Sequence, residues 1–337
     1  MSEQTYWDRP NKCVIRPFAG SAKVGHRQYS LPLEEAITDF GAATPFAKVA
    51  EKIKRHYGIA IGGSAAYLVT NRHAQAIGEF GVLPEARAEA AVLIAEMDGS
   101  MVPVVQMAAT QTQTDLRKTR TLCWKELKLA LVRRDGEIAP LFGATMGHAR
   151  EAGVILREVA QAAGFAAGTR VHAVGDGATW LSEQVECQFG AQATYLVDFY
   201  HGCEYVAAAA KVCCPTDTQT WMEQQKARLK TNQTGTVLQA LAPHREASDI
   251  PDDAAPVRAC YRYMANRLDQ LDYQGALANH LPIGSGEIES AHRYIVQERI
   301  KRPGAWWKPE NAINIVNLRI ADANGAWDRY WDSRKCA

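Results

Sequence analysis

An apolar run that closes on an acid constrains this chain more than any other stretch. Ala91-Val92-Leu93-Ile94-Ala95-Glu96-Met97 leads directly to Asp98-Gly99-Ser100, and Val102, Val104 and Val105 follow. Apolar runs of this kind are strands of a buried sheet, and Asp-Gly between two of them signals a tight hairpin turn. The expectation is a strand, a turn at Asp98-Gly99 and an antiparallel return, with the Asp98 carboxylate where the buried strand surfaces. Two later segments could bring acids to the same place: Val171-His172-Ala173-Val174-Gly175-Asp176-Gly177 and Gly286-Glu287-Ile288-Glu289-Ser290.

The elements that follow set the fold class. A polar stretch over residues 109–120 leads to a third strand over 122–132. A helix is expected over about 147–164, with Ala152, Ile155, Leu156, Val159 and Ala160 on its apolar face. Then come the strand ending at Asp176, a short helix over 180–189 and a strand over 193–198. Three strands, a helix, a strand, a helix and a fifth strand is the order of an RNase H-like α/β fold. In that fold the first three strands form a meander and the later ones lie parallel to the first, giving a mixed five-stranded sheet with helices. Residues 202–281 read as a helical insertion with a loop rich in Pro and Asp over 243–256. A last helix is expected over 285–299, then a helical tail over 311–321 with Trp327 and Trp331 as an aromatic plug. One domain would thus span 85–337.

Ahead of it, residues 1–33 read as an irregular arm, with Pro10, Pro17 and Pro32. Residues 34–84 read as helical. Thr44-Pro45 starts a helix whose Phe46, Val49, Ala50 and Ile53 keep helical spacing, residues 58–63 interrupt it with glycines, and a further helix runs over 64–77. Helix, glycine turn and helix is the outline of a helix-turn-helix. Five Lys or Arg (48, 52, 54, 55 and 72) stand against two Glu between Thr44 and Phe80. That balance suits phosphate contacts, and it equally suits a plain helical hairpin packed on the next domain. In the first case Tyr67, Thr70, Asn71 and Arg72 would approach base edges, while Lys52, Lys54 and Arg55 would hold the backbone. Between Leu116 and Arg134 seven basic residues face one Glu, either a solvated strand face or a patch that tracks a nucleic-acid backbone.

Composition narrows the setting. The net charge of the 337 residues is only +1, so nucleic acid must be met by local patches and not by a global field. No run approaches the roughly 18 apolar residues of a membrane span, and the N-terminus lacks the basic and apolar regions of a signal peptide. The eight cysteines form no CxxC pair, which points to reduced thiols and no zinc knuckle. The chain is expected in the cytoplasm, associated with the nucleoid.

Phosphoryl transfer on DNA needs charge relief on the attacking and leaving oxygens. Two Mg²⁺ ions, or Mn²⁺ in their place, give it when carboxylates hold them in an open site. Asp98 and Asp176 meet that need if their strands are neighbours. Glu287 and Glu289 compete to be the third acid. Ser285 as N-cap puts Glu287 in the first turn, where it compensates the helix dipole. Glu289 shares a face with His292, Arg293 and Val296 and is the better candidate.

These residues resemble a family. Asp98-Gly99, Gly175-Asp176-Gly177, Asp198-Phe199-Tyr200-His201 and Gly284-Ser285-Gly286-Glu287-Ile288-Glu289-Ser290, with Arg299-Ile300-Lys301-Arg302-Pro303-Gly304-Ala305-Trp306-Trp307, look like bacterial insertion-sequence transposases of the DDE class. The ISKra type is nearest and Mutator-like transposases are more distant. The resemblance runs from about residue 40 to Trp327-Asp328-Arg329-Tyr330-Trp331, and its most specific part surrounds Glu289. It implies an RNase H-like core, a helix-turn-helix that binds terminal inverted repeats, and a metal triad of Asp98, Asp176 and Glu289. Where the family has Cys-x-x-His, this chain has Asp198-x-x-His201, so Asp198 either orients His201 or joins the metal site, and His201 either serves the site or caps the following helix. His201 and Arg293 would then orient the scissile phosphate. The implied partners are DNA, both element ends and target, and further copies of the chain in a homodimer or larger assembly. The rival readings are a transposase-derived DNA-binding protein without activity and a metal-dependent nuclease without strand transfer.

Overall fold

The computed structural model describes residues 5–17, 29–107 and 119–336. Most of the polar stretch at 109–120, the start of the basic run after Leu116 and much of the N-terminal arm lie outside them. The chain divides into two compact units: Met1–Val82 with Val104–Leu122 and Ile295–Ala337, and Leu83–Pro103 with Cys123–Tyr294.

In the first unit part of the arm is regular. Strands β1 (Tyr6–Asp8) and β2 (Cys13–Ile15) form an antiparallel ribbon, although the prolines there suggested no element. Helices α1 (Leu31–Ala43), α2 (Phe46–Tyr57) and α3 (Gly63–Phe80) follow. Gly58 ends α2 at φ 69°, the left-handed conformation that glycine adopts without strain. Ile37, Val49, Ile53, Ala66 and Val69 form the core of the three helices.

β3 (Val92–Met107), β4 (Arg120–Arg134), β5 (Leu141–Thr145), β6 (Arg170–Gly175) and β7 (Ala193–Val197) make one mixed sheet in the order β5-β4-β3-β6-β7, all of it in the second unit except the end of β3 from Val104 and the start of β4 up to Leu122. β4 and β5 pair antiparallel, while β3 with β6 and β6 with β7 pair parallel. This mixed α/β arrangement is consistent with an RNase H-like core. Two expectations fail on the way to it. Asp98-Gly99 is not a turn, since β3 runs straight through it. The glycine serves a close approach instead, because a Cβ there would lie 2.2 Å from Glu126 Oε1. The expected hairpin is thus one long strand, and the third strand is β5, a segment not read as a strand from sequence. Gly143 within β5 lets the next helix pack directly on it, a Cβ there falling 2.5 Å from Ile155.

Helices α4 (Ala149–Ala163) and α5 (Thr179–Phe189) cover one sheet face. Leu93, Ala95 and Met97 of β3 and Val171 and Ala173 of β6 point into that core with Leu156, Val159, Leu181 and Phe189. Side chains alternate along a strand, so Glu96, Asp98, His172 and Asp176 belong to the other face. After β7 come α6 (Phe199–Cys213), α7 (Thr218–Lys230), α8 (Thr234–Leu241), α9 (Pro256–Ala265) and α10 (Tyr273–Ala278), which share a core of their own. The last acid-bearing helix is α11 (Gly286–Ala291), which passes into a π-helix (His292–Gln297) and then α12 (Glu298–Ile300).

The first unit resumes at Ile295, so α12 belongs to it, and the chain closes there with α13 (Pro309–Ala323) and α14 (Ala326–Cys336). α13 packs on α3 and α1. Three arginines from this closing part reach successive carbonyls at the end of α1: Arg299 Nε to Gly41 at 3.0 Å, Arg319 Nη1 to Ala42 at 3.1 Å and Arg302 Nη2 to Ala43 at 3.3 Å. Cations at a helix C-terminus satisfy carbonyls that have no partner within the helix and compensate its dipole. No helix among the described residues is long and apolar enough to cross a membrane, and Cys13, Cys187, Cys203, Cys213, Cys214 and Cys260 are free thiols.

Candidate active site

The register of the parallel pair decides which acids meet. Val92 lies opposite Arg170 and Glu96 opposite Val174. Carried two residues on, this register sets Asp98 opposite Asp176, the first residue beyond β6. Neighbouring strands lie about 4.8 Å apart, and the two carboxylates share one face. Asp98 Oδ1 accepts from the Gly99 N–H at 2.7 Å, and His292 Nε2 stands 3.6 Å from Oδ2. Burial holds the Asp98 carboxyl above its ordinary range, His292 and the Gly99 N–H oppose that, and the negative charges of Asp176 and Glu126 add to it. A cation placed between such acids would relieve both penalties.

Asp176 is held by its surroundings. Its Oδ1 accepts from the Ala178 N–H at 2.8 Å, its carbonyl accepts from Tyr263 Oη at 2.8 Å, and the Gly177 carbonyl accepts from Arg267 Nε at 2.9 Å. Gly177 has φ 84° and Gly175 leaves room for Tyr195 Oη, 2.7 Å from where a Cβ would sit. The glycines on either side are therefore required by backbone conformation and by close approach. Tyr263 and Arg267 belong to α9 and the loop after it, so the helical insertion grips the turn that carries Asp176. Sequence reasoning gave neither residue a role, since nothing local distinguishes them.

The start of α11 is tied down from the same sheet face. His172 Nε2 donates to the Pro282 carbonyl at 2.8 Å, and the Phe199 N–H donates to the Ile283 carbonyl at 2.8 Å. The Ser285 N–H and Oγ both donate to Asp198 Oδ2 at 2.6 Å. Glu96 Oε2 accepts from the Ile288 N–H at 2.8 Å, and Glu287 is held through both oxygens by Arg133 Nε at 2.8 and 2.9 Å. Two expectations change here. Ser285 stands at the N-cap position without capping, because its hydroxyl is given to Asp198. Glu287 is an ion-pair partner rather than a bare dipole compensator. Glu96 was missed altogether, although a charge inside an apolar run was a legible signal. Burial pushes its carboxyl up to about 8.

Asp198 also accepts from the Tyr200 and His201 N–H groups at 2.6 and 3.0 Å through Oδ1. With both oxygens bonded and 3% exposure, it is a cap and a clasp for Ser285 and not a free metal ligand. His201 donates its backbone N–H to that cap. Its ring lies edge-on to Tyr205 and Tyr263, with Nδ1 3.5 Å from Glu204.

Glu289 and Arg293 are exposed, whereas His292 and Val296 are buried, so the face expected from α-helical spacing is split. His292 turns inward to the Asp98 carbonyl at 3.2 Å. Among the described residues no three His, Cys, Asp or Glu are grouped closely enough to hold a metal. The structure brings Asp98 and Asp176 together and leaves Glu289 in solvent. Two carboxylates still fit Mg²⁺, which is commonly bound through one or two carboxylates plus substrate phosphates.

Apart from Arg293, the expected DNA contacts lie in the first unit. Lys54 and Arg55 are exposed on α2, while the Lys52 ammonium lies over the Phe40 ring at 4.9 Å. On α3 Thr70 is wholly buried and Tyr67 Oη accepts from Asn311 at 3.0 Å, so neither is presented to a groove. Arg72 pairs with Glu34 at 2.6 Å, and Asn71 Oδ1 is buried without a hydrogen bond.

No family model and no curated protein matches this sequence. Among solved structures the chain is similar to one from the Drosophila P element transposase strand transfer complex, at 10% identity and a TM-score of 0.35, covering 93% of this chain and 82% of that one. A likeness so distant assigns no residue.

Proposed function

We propose that this protein is a DDE-class DNA transposase of the insertion-sequence ISKra type, built on an RNase H-like core. It would cut DNA at terminal inverted repeats and join the freed 3′ ends to target DNA. The observation that supports the reading is the register of β3 and β6: Glu96 lies opposite Val174, and the same register carried two residues on sets Asp98 opposite Asp176. Their crowding, with Asp98 raised by burial and by Asp176, is the electrostatic condition for binding a hard cation.

Asp98 and Asp176 would hold divalent metal, with Glu289 as the remaining ligand that the family resemblance names. When bound, the metal supplies charge relief at the attacking and leaving oxygens of the phosphodiester. The protein's part is positional. His292 fixes the Asp98 segment, Tyr263 and Arg267 fix the Asp176 turn, and Arg293, exposed one turn beyond Glu289, is free to meet phosphate. Exposed Lys54 and Arg55 would serve the DNA backbone from the first unit. Assembly as a dimer or larger complex on DNA belongs to the same proposal.

The test is incubation of the purified protein with Mg²⁺ and DNA carrying the sequences that flank its coding region. Strand cleavage followed by joining is expected, and Asp98→Asn and Asp176→Asn should each abolish it while retaining DNA binding. Cleavage without joining would leave a nuclease. Binding without cleavage would leave an inactive DNA-binding relative, and normal cleavage by Asp98→Asn would sink the assignment.

A further inference from the structure

We propose that Glu96 is a positioning residue for Glu289: its side chain seats the first turn of α11 on the sheet and thereby fixes where Glu289 stands. The proposal rests on the transposase reading for its functional consequence, and on geometry for the seat itself. Glu96 is 1% exposed and lies two residues before Asp98 on the same strand face. Its Oε2 accepts from the Ile288 N–H at 2.8 Å, while Oε1 has no hydrogen-bond partner. That single bond to the helix is the hydrogen bond the buried carboxyl makes.

The N–H it takes is one of those at a helix start that have no acceptor inside the helix. Such groups are ordinarily satisfied by the N-cap side chain. Here the N-cap residue is Ser285, and its hydroxyl is committed to Asp198. The cap is therefore delegated to a strand, and capping becomes docking. Glu289 is the next residue after Ile288.

A second anchor fixes the register. One turn after Ile288, His292 Nε2 reaches the Asp98 carbonyl at 3.2 Å. Four helical residues rise about 6 Å and two strand residues about 6.6 Å, so helix and strand advance in step between the two anchors. A slip of α11 by one residue, about 1.5 Å, would break both. Arg133 on β4, His172 on β6 and Asp198 after β7 hold the flanking residues Glu287, Pro282 and Ser285. Of these four polar groups, only Glu96 bonds the helical turn next to Glu289 through its backbone.

The experiment compares Glu96→Gln, which keeps a carbonyl acceptor at the same reach, with Glu96→Ala, which removes it. Two readouts are taken: amide hydrogen exchange over residues 286–292, and steady-state cleavage of flanking-sequence DNA with Mg²⁺. E96A should exchange about fivefold faster there, the equivalent of about 1 kcal/mol for a lost hydrogen bond. Its kcat should fall about a hundredfold, the scale of a 1 Å misplacement of a reacting group, with KM for DNA unchanged. E96Q should restore both toward wild type. Equal protection in E96A and wild type would overturn the proposal. So would E96Q as inactive as E96A with protection intact, because that would make Glu96 a charged ligand and not a seat. If E96A does not fold, Glu96→Asp replaces it: one methylene shorter, it should show the same local loss, and full protection with full kcat would overturn the proposal. The exchange readout decides the seat whether or not the wild type acts on DNA, so failure of the transposase reading remains separable.

Discussion

The Arg133 guanidinium holds Glu287 by both carboxylate oxygens, whereas Glu289, two residues on, projects into solvent. The two acids should therefore respond in opposite ways to the same isosteric change. Glu287→Gln should lower thermal stability by about 1 kcal/mol, because the pair is only partly shielded from water, and should leave most of the cleavage. Glu289→Gln should unfold like wild type, as surface substitutions do to within about 0.5 kcal/mol, yet lose cleavage. Unfolding curves and a cleavage assay on the two variants check this. The preference for Glu289 came from sequence neighbours and a family resemblance. The role of Glu287 could not be read there, since Arg133 is 154 positions away. The expected grouping of Glu289 with Val296 assumed 3.6 residues per turn across a segment that the π-helix from His292 to Gln297 does not keep.

Among the elements, the Asp176 turn and the start of α11 carry the site, and both invite measurement. Gly177→Ala should destabilise by about 1–2 kcal/mol, since φ 84° is a left-handed conformation that L-residues resist. Gly99→Ala should cost less, because its obstacle is the mobile end of the Glu126 side chain. His172 adds a pH dependence. Burial lowers its pKa in the folded protein, while its bond to the Pro282 carbonyl opposes that. The unfolded chain takes up a proton near 6.5 that the folded chain resists, so the stabilisation is present above that pH and is lost as pH falls below it. The loss is at most about 1.4 kcal/mol per pH unit, and Thr or Gln at position 172 should flatten it in unfolding curves between pH 7 and 5. The alternation of α4, β6, α5 and β7 was legible because apolar runs and glycines mark it, whereas β5 carried no such signal. The Asp98-Gly99 turn was misread because Asp-Gly carries the same local signal whether a chain reverses there or a neighbouring Glu126 needs the space.

At the scale of the molecule, the first unit gathers three separate stretches of chain, an arrangement invisible to a reading that moves along the sequence. Within it α13 buries Ile315, Val316 and Leu318 and packs on α3 and α1. Removing the N-terminal helices would expose that face, so point variants are the sounder probe of DNA binding. Lys54→Ala and Arg55→Ala should weaken all DNA about equally and flatten the salt dependence of binding, by about 1 in log–log slope for each phosphate no longer neutralised. Arg72→Ala should instead loosen the Glu34 and His73 cluster and show as reduced stability. Binding titrations at several salt concentrations, with unfolding curves alongside, separate these outcomes.

The seat of Ile288 on Glu96 joins positions 192 residues apart, and this sets an order in time. A ribosome delivers Asp98 and Asp176 long before it delivers α11. A growing or truncated chain can pair β3 with β6, yet the strand face that bears both acids still awaits its helix. The last acid arrives only with the segment that His172, Asp198, Glu96 and Arg133 clasp together. On the proposed function, a copy that lacks α11 would be harmless to the DNA around it, and competence would come with the arrival of that helix on the sheet.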